Sequence, residues 1–305
     1  MISEKIVVGQ GTEYPLNGLL SLPDDLSKPV PAVVMVHGSG ASNMDEKVMK
    51  LTPFRDLAEG LVKHGIASLR YDKRTFVHGR KMMKAPLTVW EETVEDAIRA
   101  IEILKADERI DHDRIYILGH SMGAMLAPRV DAQGGDARGL IMMAGTPFRL
   151  EDIVLRQLKK AGNGNFFFKW IIGRQYKIYA KKFEHLYQMS DEEAKKKKFA
   201  GSMNLYYFKE MGEKTASDYL KESDKPVLIM QGEKDFQVLA DEDFRAFKEE
   251  LAERKNTQFK LYPGLNHCFV KAIYDDILKA SKEYSSERHI DEDVIGDIAA
   301  FIHES

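Results

Sequence analysis

The sequence predicts an α/β fold with a mostly parallel central sheet and helices on both faces. Four short, near-continuous apolar runs, at residues 32–36, 115–118, 140–143 and 227–230, are rich in Val, Ile, Leu and Met. Strands covered by helices from either side look like this. Between the runs, apolar residues recur at helical spacing, so strand and helix alternate. With 305 residues the chain suits one large domain carrying an insertion.

The elements follow in order. The first 25 residues read as an antiparallel lead-in with a turn near Asn17-Gly18. After the strand at 32–36, Phe54, Leu57, Ala58, Leu61 and Val62 share one helical face. Thr52 is placed to cap that helix, and Pro53 suits its first turn. Residues 66–71 are a further strand. Val94, Ala97, Ile98, Ile101 and Leu104 form the next helical stripe, and Thr88 and Glu91 have capping-box spacing at its start. Phe244, Phe247 and Leu251 mark a third helix. Residues 258–262 alternate polar and apolar and belong nearer an edge. Val294, Ile295, Ile298, Phe301 and Ile302 close the chain as a helix.

The alternation stops after Gly145. Residues 147–222 look helical, without a convincing strand, and hold 14 of the 29 aromatic residues. They also hold 16 Lys and Arg against 10 Asp and Glu, although the whole chain carries a net charge of −3. This division gives a core of residues 1–146 and 223–305 with a helical cap, 147–222, inserted between two sheet strands. The basic run at 195–198 reads as a solvated helix face.

The composition is that of an ordinary globular protein, 44% hydrophobic and 30% charged. No basic domain or stripe marks a nucleic-acid binder. No apolar stretch reaches the roughly 18 residues of a membrane span, and Met1 to Gln10 does not read as a secretory signal. Cys268 is the sole cysteine, so no internal disulfide forms, and the expected location is the cytoplasm. No motif bears on oligomeric state.

The central chemical signal is Gly119-His120-Ser121-Met122-Gly123, directly after the run at 115–118. Acyl transfer needs a serine oxygen held clear of the backbone, within reach of both a base and a substrate carbonyl. A sharp strand-to-helix turn does this, and flanking glycines make room for it. The helix start also aims N–H groups at a developing oxyanion. A second signal, His37-Gly38-Ser39-Gly40, ends the strand at 32–36. Ligands of open α/β sheets bind outside the carboxyl ends of the strands. The N–H groups of Ser39 and Met122 are therefore the candidate oxyanion donors, and His37, Gly38 and Gly40 the candidate substrate-side residues. His37 itself suits a supporting hydrogen bond better than catalysis.

A serine nucleophile needs an acid and a base. Asp235 lies just past the run at 227–230, with Glu233, Asp241 and Asp243 as rivals; Asp241 and Asp243 fit better as first-turn charges of the following helix. His267 lies past the last strand in the loop Pro263-Gly264-Leu265-Asn266-His267. His64, His112, His185, His289 and His303 have no matching partner. His120 points away if Ser121 points outward, and Cys268 reads as packing.

With these residues in place, the chain resembles the α/β-hydrolase superfamily over nearly its whole length. Within it, the chain is similar to bacterial carboxylesterases of the dienelactone-hydrolase-like and cinnamoyl-esterase-like group. The segments that carry the resemblance are residues 36–40, Arg70-Tyr71-Asp72-Lys73-Arg74-Thr75, and residues 118–123, 231–235 and 264–267. The resemblance implies a serine carboxylesterase acting on small ester substrates. Ser121 would be the nucleophile, Asp235 the orienting acid and His267 the base, with oxyanion N–H groups from Ser39 and Met122. It implies no cofactor and no metal. Two departures stand out: dienelactone hydrolases place cysteine at position 121, and many esterases continue the Asp-x-Arg stretch with glycines where this chain has Thr75-Phe76-Val77-His78. Thioesterases and serine peptidases share the triad, and a non-catalytic ligand-binding relative is the rival from another class. Epoxide hydrolases and haloalkane dehalogenases place aspartate at the elbow.

Overall fold

The computed structural model describes residues 1–82, 87–161, 166–200 and 203–305, apart from the side chains of 166–169. Among the described residues there are ten strands: β1 (Ile2–Val8), β2 (Leu16–Leu22), β3 (Val30–Val36), β4 (Ala67–Tyr71), β5 (Ile110–His120), β6 (Gly139–Met143), β7 (Lys198–Ala200), β8 (Met203–Asn204), β9 (Val227–Gly232) and β10 (Thr257–Tyr262). Eight of them form one sheet in the order β1-β2-β4-β3-β5-β6-β9-β10. From β4 to β10 every neighbouring pair is parallel, while β2 runs antiparallel to both β1 and β4. The alternating strand β10 stands at the edge, where its polar side chains reach solvent.

Helices 53–63 and 292–304 cover one face of the sheet, packing Phe54, Leu57, Leu61, Val294 and Ile298 against β3, β5 and β6. Helices 95–105, 122–130 and 245–250 cover the other. The helix 122–130 serves two neighbours. Ala124, Ala127 and Val130 face the sheet, and Met122, Met125 and Leu126 face the insertion. That insertion lies between β6 and β9 and comprises helices Leu150–Ala161, Phe166–Phe183, Asp191–Lys196, Leu205–Gly212 and Ala216–Lys221. Phe183, Leu186, Leu205, Tyr207, Phe208 and Met211 form its own apolar centre against helix 122–130.

Several local expectations need correction. Asn17-Gly18 is not a turn but lies inside β2, paired with β1 and β4. Glycine suits position 18 because an added Cβ would come within 2.5 Å of Ile6 Cδ1 and 3.1 Å of the Arg70 carbonyl oxygen. The chain reverses earlier, between Gly9 and Thr12, whose N–H donates to the Gly9 carbonyl. Thr52 does precede helix 53–63, but its side chain makes no cap; its carbonyl accepts from Asp56 N–H instead. Glu91 does reach back to Thr88 N–H at 3.0 Å, yet the Thr88 hydroxyl accepts from Trp90 rather than from Glu91. The inserted segment is not strand-free, since β7 and β8 pair antiparallel within it. The rings of Phe166, Phe167 and Phe168 lie outside the described residues.

Candidate active site

Five parallel strands end together. The register sets Val36 beside Gly119, His120 beside Met143, Met143 beside Met230, and Gly232 beside Tyr262. Each strand thus delivers its following loop to the same mouth of the sheet, which is where open α/β folds place ligands.

At that mouth Ser121 sits between β5 and helix 122–130 with φ 54° and ψ −118°. A non-glycine residue rarely adopts this left-handed φ, and such strain gathers at functional positions. Ser121 N–H donates to the Met143 carbonyl at 2.8 Å, which clamps the turn from the neighbouring strand. Both flanking glycines are required by space. A Cβ on Gly119 would lie 2.2 Å from Gly123 O, and one on Gly123 would lie 2.0 Å from Val36 O. The elbow can therefore close only with hydrogen at both positions.

The loop after β9 carries Asp235 and the loop after β10 carries His267. Asp235 is buried; its Oδ1 accepts from the N–H groups of Gln237 and Val238, and its Oδ2 accepts from Gln231 Nε2 at 3.0 Å. That same Oδ2 lies 2.7 Å from His267 Nδ1. Gly232 permits the approach, because a Cβ there would come within 2.5 Å of the Asn266 carbonyl oxygen. The rival carboxylates are placed elsewhere. Glu233 accepts from Gly264 N–H, and Asp241 and Asp243 sit in the first turn of the next helical segment. Asp243 is fully buried and paired with Arg156 of the insertion.

Gly38 lies against the elbow, since an added Cβ would stand 3.2 Å from Ser121 Cβ. Among the described residues, the N–H groups of Ser39 and Met122, the expected oxyanion donors, have no hydrogen-bond partner. Ser121 Oγ likewise makes no hydrogen bond among the described residues, so the hydroxyl-to-imidazole link is open here. His37 is buried, and its Nε2–H donates to the Asn43 carbonyl at 3.1 Å. Burial lowers its pKa from the ordinary 6.5 to about 4, outweighing the opposite pull of Glu46. His37 thus holds the loop as a neutral imidazole.

Ser39, Gly40, Ser121 and Met122 border a cavity of about 420 Å³. Its walls are mainly apolar: Leu87, Met125, Leu150, Ile153, Val154, Phe199, Met203, Phe208 and Val238, with Thr75, Glu92, Tyr207 and Gln237 as polar points. The insertion supplies about half of these, including the rings of Phe199, Tyr207 and Phe208.

Residues 27–271 match the model of a family described as serine aminopeptidase, S33. The chain belongs to this family. Its architecture is the α/β-hydrolase fold. It is similar to the esterase EstD of Thermotoga maritima, with 34% identity over 287 residues that cover 94% of this chain. The chain spans 65% of that esterase's length. Among solved structures, this S33 member resembles Est1E from Butyrivibrio proteoclasticus in its ferulic-acid complex, with TM-score 0.61 and 17% identity over 98% of this chain and 100% of that one. It also resembles proline iminopeptidase from Mycobacterium smegmatis, with TM-score 0.61 and 14% identity over 99% and 98% of the two chains. At these identities the two structures speak for the fold alone.

Some residues at the site carry no sequence signal. His120 does not simply point away: its Nε2 donates to the His267 carbonyl at 2.9 Å, and its Nδ1 stands 2.9 Å from Glu46 Oε2. Glu46 Oε1 accepts from Gly38 N–H at 2.6 Å. Burial alone would push the His120 pKa down, but Glu46 and the His267 carbonyl raise it on balance. Asn266 accepts from the Cys268 and Val270 N–H groups and donates to Glu283, holding the loop that carries His267. His289, expected to lack a partner, lies 3.1 Å from Asp56. The links of His120 to Glu46 and His267, and of His289 to Asp56, join segments far apart in the chain, so no spacing rule could reveal them.

Proposed function

We propose that this chain is a serine carboxylesterase that hydrolyses small carboxylic esters through an acyl-enzyme on Ser121. One observation supports the reading: Asp235 and His267, buried and 2.7 Å apart, sit on loops that leave the same mouth of the sheet as the strained Ser121, which borders a mainly apolar cavity. His267 removes the Ser121 proton as the oxygen attacks the ester carbonyl. Asp235 holds the imidazole by Nδ1, so that Nε2 is the working nitrogen, and stabilises the imidazolium. The oxyanion rests on the N–H groups of Ser39 and Met122. His267 then protonates the leaving alcohol, and water repeats the cycle to free the acid. The inserted residues 147–222 act as a cap that roofs the acyl pocket.

The cavity lining favours an ester over the other substrates of such a triad. An aminopeptidase must neutralise a substrate ammonium, yet the carboxylate in the wall, Glu92, is already paired with Lys73 at 2.8 Å. A coenzyme A thioester would call for cations, and none lines the cavity among the described residues. The relative EstD is itself named an esterase. The lone Cys268, free and buried, suits a reducing cytoplasm.

The test compares wild type and Ser121→Ala on p-nitrophenyl butyrate, on an acyl-CoA and on an aminoacyl amide, with fluorophosphonate labelling in parallel. The expected result is turnover and labelling of wild type, with ester preferred and both lost in the variant. Undiminished ester hydrolysis by Ser121→Ala overturns the reading.

A further inference from the structure

Lys73 is the one buried residue of the Arg70-to-Thr75 segment whose charge points at the active-site loop. It is 2% exposed. Its ammonium donates to the Gly38 carbonyl at 2.8 Å and pairs with Glu92 Oε1 at 2.8 Å. The other oxygen of Glu92 accepts from the Tyr207 hydroxyl at 2.7 Å, and Tyr207 belongs to the insertion. A continuous polar line therefore runs from the insertion, through Glu92 and Lys73, to the peptide that joins Gly38 to Ser39.

That peptide is the one whose N–H is the candidate oxyanion donor. A trans peptide is planar, with its C=O and N–H pointing in opposite directions. Holding the Gly38 oxygen therefore fixes the direction of the Ser39 N–H. A cation on the carbonyl also draws electron density from the amide and makes the N–H a stronger donor. The preceding peptide is held independently, by Glu46 on Gly38 N–H. Burying an ion pair is costly and often contributes nothing to stability, so its place here points to a task. We propose that Lys73 is a positioning residue of the oxyanion hole, and that Tyr207 holds it in place through Glu92. The seating of the insertion and the alignment of the Ser39 N–H are thereby one event. This inference rests on the reading of Ser121 and Ser39 given above.

The experiment uses the full chain as wild type, as Lys73→Met combined with Glu92→Gln, which removes both charges together, and as Tyr207→Phe. Three quantities are read: thermal melting, kcat and KM on p-nitrophenyl butyrate, and affinity for an alkyl trifluoromethyl ketone, whose serine adduct carries the oxyanion. Deleting an oxyanion donor outright costs about 100- to 1,000-fold, so misaligning one should cost less. The double variant is expected to lose about 10- to 100-fold in kcat and a similar factor in ketone affinity, with KM changed by less than about threefold. Tyr207→Phe should shift both in the same direction by a smaller factor. A folded double variant with wild-type kcat and ketone affinity overturns the proposal. If the double variant does not fold, Tyr207→Phe decides, and unchanged values there overturn it. A wild type inactive on esters would overturn the esterase reading alone, because the ketone still reports on the hole.

Discussion

The imidazole of His120 hydrogen-bonds the main-chain carbonyl of His267 at 2.9 Å. The residue just before Ser121 thereby grips the loop that carries His267, the proposed base. Their rings also lie 4.8 Å apart. The elbow and the His267 loop are thus one mechanical unit, tied again to the loop after β3 through Glu46.

Replacing His120 by phenylalanine keeps a ring of similar size but breaks this tie and leaves Glu46 Oε2 without its imidazole neighbour. A buried polar group stripped of its partner costs about 1–3 kcal/mol. His120→Phe should lose about that much stability in urea denaturation and about tenfold in kcat, with little change in KM. If kcat holds while stability falls, the tie supports only the fold.

Gly123→Ala should be among the most damaging small substitutions in the chain. Its Cβ would stand 2.0 Å from Val36 O and 2.7 Å from His37 O, and backbone carbonyls cannot step aside. The expected loss exceeds about 4 kcal/mol, or the variant fails to accumulate as folded protein. Gly296→Ala is the control. It lies in helix 292–304 with nothing within 4 Å of a Cβ, and alanine there should stabilise by up to about 1 kcal/mol. Urea midpoints of the two variants check both signs.

His37 makes stability depend on pH in a defined window. Burial lowers its folded pKa to about 4, while the unfolded chain titrates near 6.5. Below 6.5 the unfolded state takes up a proton that the folded state refuses, so stability falls as pH drops from about 6.5 to 4. The difference corresponds to about 3 kcal/mol at the acid end. His120, with its raised pKa, contributes in the opposite sense: its share is present at low pH and is lost as pH rises through the folded value. In His37→Leu the fall between pH 6.5 and 4 should be visibly shallower in denaturation curves. An unchanged slope would show that His37 is not the group responsible.

Much of the molecule was legible before any coordinate. The runs at 32–36, 115–118, 140–143 and 227–230 became β3, β5, β6 and β9 because strands buried on both faces must be apolar throughout. The glycines around Ser121 announced a crowded turn, and 2.0 and 2.2 Å are the distances that crowd it. Where the sequence misled, a tertiary contact outweighed a local preference. Asn17-Gly18 reads as a turn, but two neighbouring strands claim it, and the glycine serves the close approach of Ile6. Thr52 stands where a cap belongs and does not cap.

The chain's own pattern determined the alternating architecture, the elbow, and which loops leave the carboxyl ends of the strands, because these depend on periodicity and on residues adjacent in sequence. Only the tertiary structure decided that Asp235, rather than Glu233, Asp241 or Asp243, faces His267, and that Lys73, Glu92 and Tyr207 hold the Gly38 carbonyl while Glu46, paired with His120, holds the Gly38 N–H. Hydrogen bonds between segments as far apart as residues 92 and 207 depend on how the sheet and the insertion pack. That distance in three dimensions leaves no trace in the spacing of letters.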